Sequence, residues 1–137
     1  MGTNKKTMSM LPLKKSKHIL RTALVLTSSY VPSSVISVDE HNYMGVKVSY
    51  TKGDETSMEL KIESSIDFGV SYGQQSSLGS PSGGVSGASP YVIQFTSTGE
   101  YWIDVAPLKA DTLRVSVKST GGTPTGTCGM TAVTGWV

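Results

Sequence analysis

Apolar and polar residues alternate along most of this chain. Met44, Val46, Val48 and Tyr50 occupy every second position of the run from Tyr43 to Thr51. Met58, Leu60 and Ile62 do the same between Thr56 and Glu63, with Glu59, Lys61 and Glu63 at or just beyond the positions between them. The pattern returns at Ile66, Phe68, Val70 and Tyr72, at Tyr91, Ile93 and Phe95, and at Tyr101, Ile103 and Val105. It closes the chain at Leu113, Val115 and Val117 and at Cys128, Met130 and Ala132. A period of two places each set on one face of a strand, aimed at a common core. No window holds apolar residues at helical spacing over three turns, so strands are expected throughout and almost no helix.

The connections carry turn residues. Lys52-Gly-Asp-Glu separates the strands at 43–51 and 56–63, and Thr120-Gly-Gly-Thr-Pro-Thr-Gly separates those at 112–119 and 127–134. Each pair therefore reads as a hairpin of antiparallel strands, one over Val46–Glu63 and one over Leu113–Met130. A first strand is expected at 18–29, with Leu20, Thr22, Leu24 and Leu26 on one face and Ile19, Arg21, Ala23 and Val25 on the other. Pro32 ends it, because proline cannot donate to a central ladder. Val35–Val38 is a short strand. Residues 73–90, with five glycines and two prolines, form a long loop of the kind that is flexible or functional. Eight or nine strands at this spacing predict an all-β fold: an antiparallel β-sandwich, jelly-roll or Ig-like. Residues 1–17 lack periodicity and read as an extended basic N-terminal arm before a β-sandwich domain at 18–137.

Charge sharpens that division. The six basic residues before Asp39, namely Lys5, Lys6, Lys14, Lys15, Lys17 and Arg21, have no acidic counterpart there, while the remaining six basic residues share the body with all ten acids. A basic arm on an acidic body suits docking on an acidic neighbour. Nucleic acid is disfavoured as partner, because the arm has no aromatics for stacking and the body repels a polyanion. No secretory signal and no membrane span are expected: the apolar stretch from Ile19 to Leu26 is interrupted by Arg21 and Thr22, and no apolar run is long enough.

Candidate chemistry is sparse. Cys128 is the single cysteine, so neither an internal disulfide nor a cysteine-based zinc site is possible, and its alternation with Met130 aims it at the core. His18 and His41 lie in no catalytic or metal-binding spacing. Asp39-Glu40 and Asp54-Glu55 sit in turns, where Asp bonds its own backbone. The glycine-rich run at 121–126 has no Walker lysine. No enzyme, cofactor or metal is expected. Trp102 points opposite Tyr101 and Ile103, so it belongs on the surface, at a subunit interface or against a carbohydrate.

Two runs, Tyr50-Thr-Lys-Gly-Asp-Glu-Thr-Ser-Met-Glu-Leu-Lys-Ile-Glu63 and Thr112-Leu-Arg-Val-Ser-Val-Lys-Ser-Thr-Gly-Gly-Thr-Pro-Thr-Gly126, with Thr98-Gly-Glu-Tyr-Trp-Ile103 between them, resemble small structural proteins of tailed bacteriophages. The resemblance spans residues 43–136. It departs at Ile66-Asp-Phe-Gly-Val-Ser-Tyr72, where some relatives carry a Trp-Tyr pair. It implies a β-sandwich or jelly-roll protein of the virion, assembled in the host cytoplasm and acting as capsid decoration (cement). The alternatives are a neck or head–tail joining ring, or a virion-displayed carbohydrate-binding module. Its partners would be the major capsid protein or neighbouring virion subunits, with homo-oligomers expected. The contact residues would be Lys5, Lys6, Lys14, Lys15, Lys17 and Trp102, with the 73–90 loop facing outward or toward a neighbour.

Overall fold

Alternation with period two builds half-buried strands, and half-buried strands must pair and then stack. A computed structural model, describing residues 15–38, 43–74, 76–77, 89–90, 92–105 and 110–135, shows how. The strands are β1 (Lys15–Val25), β2 (Val31–Pro32), β3 (Ile36–Ser37), β4 (Tyr43–Thr51), β5 (Glu55–Ser65) and β6 (Gly73–Gln74). They continue as β7 (Ser76–Ser77), β8 (Ser89–Pro90), β9 (Val92–Phe95), β10 (Gly99–Val105), β11 (Thr112–Gly122) and β12 (Thr127–Gly135). One sheet runs β1-β12-β4-β10, and the other runs β2-β11-β5-β6, with β3 also against β11 and β9 also against β5. The 73–90 stretch contributes β6 at an edge and a small β7–β8 ladder, and the residues between β7 and β8 lie outside the described ones. No helix among the described residues is long and apolar enough to cross a membrane.

Neither expected hairpin exists. β4 pairs with β12 and β10, whereas β5 pairs with β11, β9 and β6. The chain crosses from one sheet to the other between β4 and β5, between β9 and β10, and between β11 and β12. Counting β2 with β3 as one interrupted strand, the eight successive segments β1, β2–β3, β4, β5, β9, β10, β11 and β12 divide between the sheets in the orders 1-8-3-6 and 2-7-4-5, with β5 and β9 adjacent in one sheet. That is the double Greek key of a jelly roll rather than an Ig-like fold. Strands that arch across a sandwich present the same alternation to the core as strands that pair, so the pattern alone could not separate the two arrangements.

The core was legible. Met44, Val46, Val48 and Tyr50 of β4, Met58, Leu60 and Ile62 of β5, and Leu113, Val115 and Val117 of β11 are buried in one cluster with Cys128, Met130 and Ala132 of β12. Phe95 and Tyr101 close one side of it with ring centroids 4.8 Å apart.

Glu55 was read as part of a surface turn. It is instead fully buried, at the point where two connections meet. Its carboxylate accepts bonds from the Tyr50 hydroxyl at 2.6 Å and the Gly53 and Gly126 amides at 2.8 Å, and from the Thr125 amide at 3.1 Å. The Lys52–Asp54 and Thr123–Gly126 connections are thus clamped to one anion. Gly126 must be glycine, because a Cβ there would lie 2.2 Å from Glu55 Oε2.

The first strand also departs from expectation. Leu20 and Leu26 are buried, but Thr22 and Leu24 are exposed. The register against β12 shifts between Ile19 and Arg21 and again between Arg21 and Leu24. Each shift inserts an extra residue on β1, and each bulge turns the alternation over. Arg21 fills the gap: its Nε donates to the Cys128 carbonyl at 2.9 Å and its Nη2 to the Leu24 and Val25 carbonyls at 3.2 Å. A bulged, cation-bearing edge is a poor template for stray strand pairing.

Candidate docking surfaces

The outer face of the six-stranded sheet is laced with paired charges. Glu63 accepts from Arg114 at 3.2 and 3.3 Å and from the Ser116 hydroxyl at 2.6 Å, and Arg114 stacks 3.9 Å above the Tyr72 ring. Burial would raise the Glu63 carboxyl, but the bonds from Ser116 and Arg114 outweigh it and hold it low. Tyr30 donates to Glu59 at 3.2 Å, and Lys61 and Lys118 both lie over its ring. Burial, followed by the Glu59 charge, pushes the Tyr30 phenol up to about 12. At neutral pH the Glu63 carboxyl is therefore ionised and the Tyr30 phenol neutral. Cys128 is a core side chain, and burial pushes its thiol up to about 11. Among the described residues, no three His, Cys, Asp or Glu side chains come together to hold a metal. His18 hydrogen-bonds the Thr134 hydroxyl at 3.2 Å, and His41 lies outside the described residues.

The surface is most unusual at residues 66–72. The alternation there predicted a strand with Ile66, Phe68, Val70 and Tyr72 packed inward. It is a turn, and Ile66, Phe68 and Val70 are 80%, 77% and 85% exposed. Asp67 overrides the pattern. Its carboxylate accepts from the Ser65 hydroxyl at 2.5 Å, the Ser71 hydroxyl at 2.6 Å and the Ser71 amide at 3.0 Å. The Ser65 hydroxyl oxygen in turn accepts from the Gly69 amide at 2.9 Å, and Asp111 Oδ1 accepts from the Phe68 amide at 3.1 Å. Asp is a residue that competes with a ladder by bonding its own backbone. Led by the Ser65 and Ser71 bonds, these contacts hold the Asp67 carboxyl down at about 2. Phe68 takes φ 57°, a left-handed conformation rare for a bulky side chain and maintained only where the surroundings impose it. The outcome is a fixed apolar tip at the end of β5.

A hollow lies along the flank where β1 meets β2. Ile19, Leu20, Arg21, Thr22, Leu24, Val31 and the Pro32–Ser34 segment line a volume of about 430 Å³. Leu20 forms its buried floor, while Ile19 and Leu24 are 66% and 54% exposed at its wall. The bulges of β1 create it by turning Leu24 outward.

Of the expected contact residues, Lys5, Lys6 and Lys14 lie outside the described residues. Lys15 and Lys17 are exposed, but they belong to β1 and not to an arm, since Lys15 already pairs with Gly135 and Lys17 with Val133. Trp102 is exposed as expected, on β10, at the opposite edge of the same sheet from β1. Lys15 and Lys17 therefore lie at the far edge of the sheet from Trp102. Trp102 lies flat over Gly45, where an added Cβ would come within 2.7 Å of the indole, and its Nε1 donates to Asp104 at 3.1 Å. Lys47 and Glu100 form an ion pair at 3.3 Å on neighbouring strands. The tip and the hollow were missed from sequence. The usable signal for the tip was Ser65-x-Asp67 with Ser71, three turn-forming polar residues around an apolar alternation.

No family model matches the chain, and no curated protein matches it by sequence. Solved structures share its fold. The SPBc2 prophage-derived protein YomS superposes with a TM-score of 0.53 at 17% identity, over 88% of this chain and 92% of that one. The PBSX exported protein XepA gives 0.57 at 12% identity over 89% of this chain, which spans 37% of XepA. A chain of the T13 IBDV viral particle gives 0.50 at 9% identity over 90% of this chain and 31% of that one. At such identities the likeness is one of fold.

Proposed function

We propose that this chain is a non-enzymatic structural protein of a tailed-phage virion, docking on the capsid lattice and stabilising it as a decoration or cement protein. The observation that carries this reading is the apolar tip. A loop that fixes Ile66, Phe68 and Val70 in water by hydrogen bonds is built to be covered by another protein surface. The jelly-roll fold, shared with a prophage-derived protein and a viral-particle chain, supports the setting. The basic residues Lys5, Lys6, Lys14, Lys15 and Lys17 supply charge for an acidic neighbour. A protein that binds only the assembled shell raises the shell's stability by mass action.

Shells assembled without the protein should take up the wild type to a fixed stoichiometry. The double variant Ile66→Ser/Phe68→Ser should bind at least about tenfold more weakly, since burying each large apolar side chain is worth about 1.5–3 kcal/mol and about 1.4 kcal/mol is a factor of ten. Equal uptake of the variant would sink the reading.

Trp102 favours a second reading, a carbohydrate-binding face displayed on the virion. A flat indole, pinned by Asp104 and backed by Gly45, offers one free ring face beside polar side chains. Titration with cell-surface polysaccharide should then show binding that Trp102→Ala abolishes and Gly45→Ala weakens by lifting the indole. Absence of binding by the wild type rules it out.

A further inference from the structure

Two apolar features of the described surface have no internal use, one convex and one concave. We propose that the Ile66–Phe68–Val70 tip of one copy seats in the Ile19–Leu24–Val31 hollow of a second copy, joining copies head to tail. The inference rests on the reading of this tip as a docking element, and gives it a second copy as partner in place of the capsid lattice.

Shape comes first. The tip is held projecting by its hydrogen bonds, so it enters a contact with little left to order. The hollow offers about 430 Å³ to an incoming side chain. Its floor and wall are apolar through Leu20, Ile19, Leu24 and Val31.

Charge agrees with shape. The base of the tip carries two carboxylates, Asp67 and Asp111, bonded to hydroxyls and amides and, among the described residues, to no cation. The wall of the hollow carries Arg21, whose guanidinium bonds backbone carbonyls and has no carboxylate partner among the described residues. Lys17, exposed two residues before Ile19, adds a second cation on the same edge strand. Seating the tip brings these carboxylates toward these cations. The same carboxylates oppose insertion of the tip into an anionic bilayer.

Position sets the form of the assembly. The tip follows the end of β5, beside the start of β11, while the hollow lies on the flank formed by β1 and β2. The two patches are different surfaces, so the contact is heterologous. Each added copy leaves one tip and one hollow free, and growth ends in a ring or continues as a filament.

Sedimentation velocity and native mass spectrometry on three proteins test this without any shell: the wild type, the tip variant Ile66→Ser/Phe68→Ser and the hollow variant Ile19→Ser/Leu24→Ser. The wild type should associate with rising concentration. Each variant alone should associate at least tenfold more weakly. An equimolar mixture of the variants should form a dimer that grows no further, because it contains one intact tip and one intact hollow. That dimer also proves both variants folded. If the hollow variant loses its near-UV circular dichroism, Lys17→Glu takes its place, and should weaken association severalfold and reduce its sensitivity to salt. A wild type that stays monomeric, a tip variant that associates as the wild type does, a mixture with no dimer, or flotation of the wild type with phosphatidylserine vesicles overturns the proposal. A monomeric wild type whose tip variant still fails to load onto shells removes this inference and leaves the docking reading standing. An associating wild type whose tip variant loads normally does the reverse.

Discussion

Replacing Glu55 with alanine should lower folding stability by at least about 3 kcal/mol at neutral pH. Burial alone would raise the Glu55 carboxyl, yet the bonds from Tyr50, Gly53 and Gly126 hold it at about 2, against an ordinary 4.5. One unit corresponds to 1.36 kcal/mol, so the native state favours the anion by about 3 kcal/mol. Removing the side chain also leaves the Tyr50 hydroxyl and buried amides without their acceptor, which adds to the loss. For a chain of this size the melting temperature should drop by about 10 °C. Glu55→Gln should recover only part, because its amide N–H₂ would face at least one backbone N–H, that of Gly53 or those of Thr125 and Gly126. The pH dependence has a definite sign. Above pH 4.5 the carboxyl is ionised in both states and the full contribution is present. As pH falls below 4.5 the unfolded chain takes up the proton first, and the contribution shrinks until about pH 2. Denaturant melts of wild type and Glu55→Ala at pH 7 and pH 3 should therefore converge at the lower pH, whereas parallel curves would refute the role given to this carboxylate.

Glu55 also shows where the sequence stopped being readable. Its run, Lys52-Gly-Asp-Glu, has every mark of a solvent turn. The second half of the site, Thr125-Gly126, lies about seventy residues away, and no local signal links the two. The same holds for strand pairing. The buried faces of β4, β5, β11 and β12 followed from alternation, because burial depends on a residue's own position. Which strands adjoin depends on how each connection leaves its sheet, and an arch and a hairpin share the same turn residues. On β1 the alternation failed at the bulges, where Arg21 replaces ladder amides, and this moved Leu24 from the expected face to the surface. Lys15 and Lys17 looked like arm residues since residues 1–17 show no apolar periodicity, but an edge strand needs only a partner's backbone. Trp102 was placed correctly because its strand is regular.

Asp67→Ala should separate docking from folding. The residue is at the surface and its bonds are confined to the tip, so the melting temperature should change by no more than a few degrees, in contrast to Glu55→Ala. The tip itself should lose its shape. Without the carboxylate, Ser71 has no anchor on the side chain of residue 67, and the left-handed backbone at Phe68 is held only by the long Val70 amide bond to the residue 67 carbonyl, at 3.3 Å, and by the Phe68 and Gly69 amide bonds. The three apolar side chains remain, but their placement does not, and a contact that must first order a loop is weaker than one that finds it formed. Shell uptake, or self-association of the free protein, should fall about tenfold while every apolar contact residue is still present. Asp67→Asn should retain part of the binding, because its carbonyl oxygen can still accept from Ser71. Acid should mimic the alanine variant in the wild type: the carboxyl is held at about 2, below its ordinary 3.8, so the tip keeps its order above pH 4 and loses it as pH falls toward 2. If Asp67→Ala docks as tightly as the wild type, the hydrogen-bonded loop is incidental and the apolar residues act without preorganisation. If it unfolds the whole domain, the loop is part of the core's support and not a separate docking element.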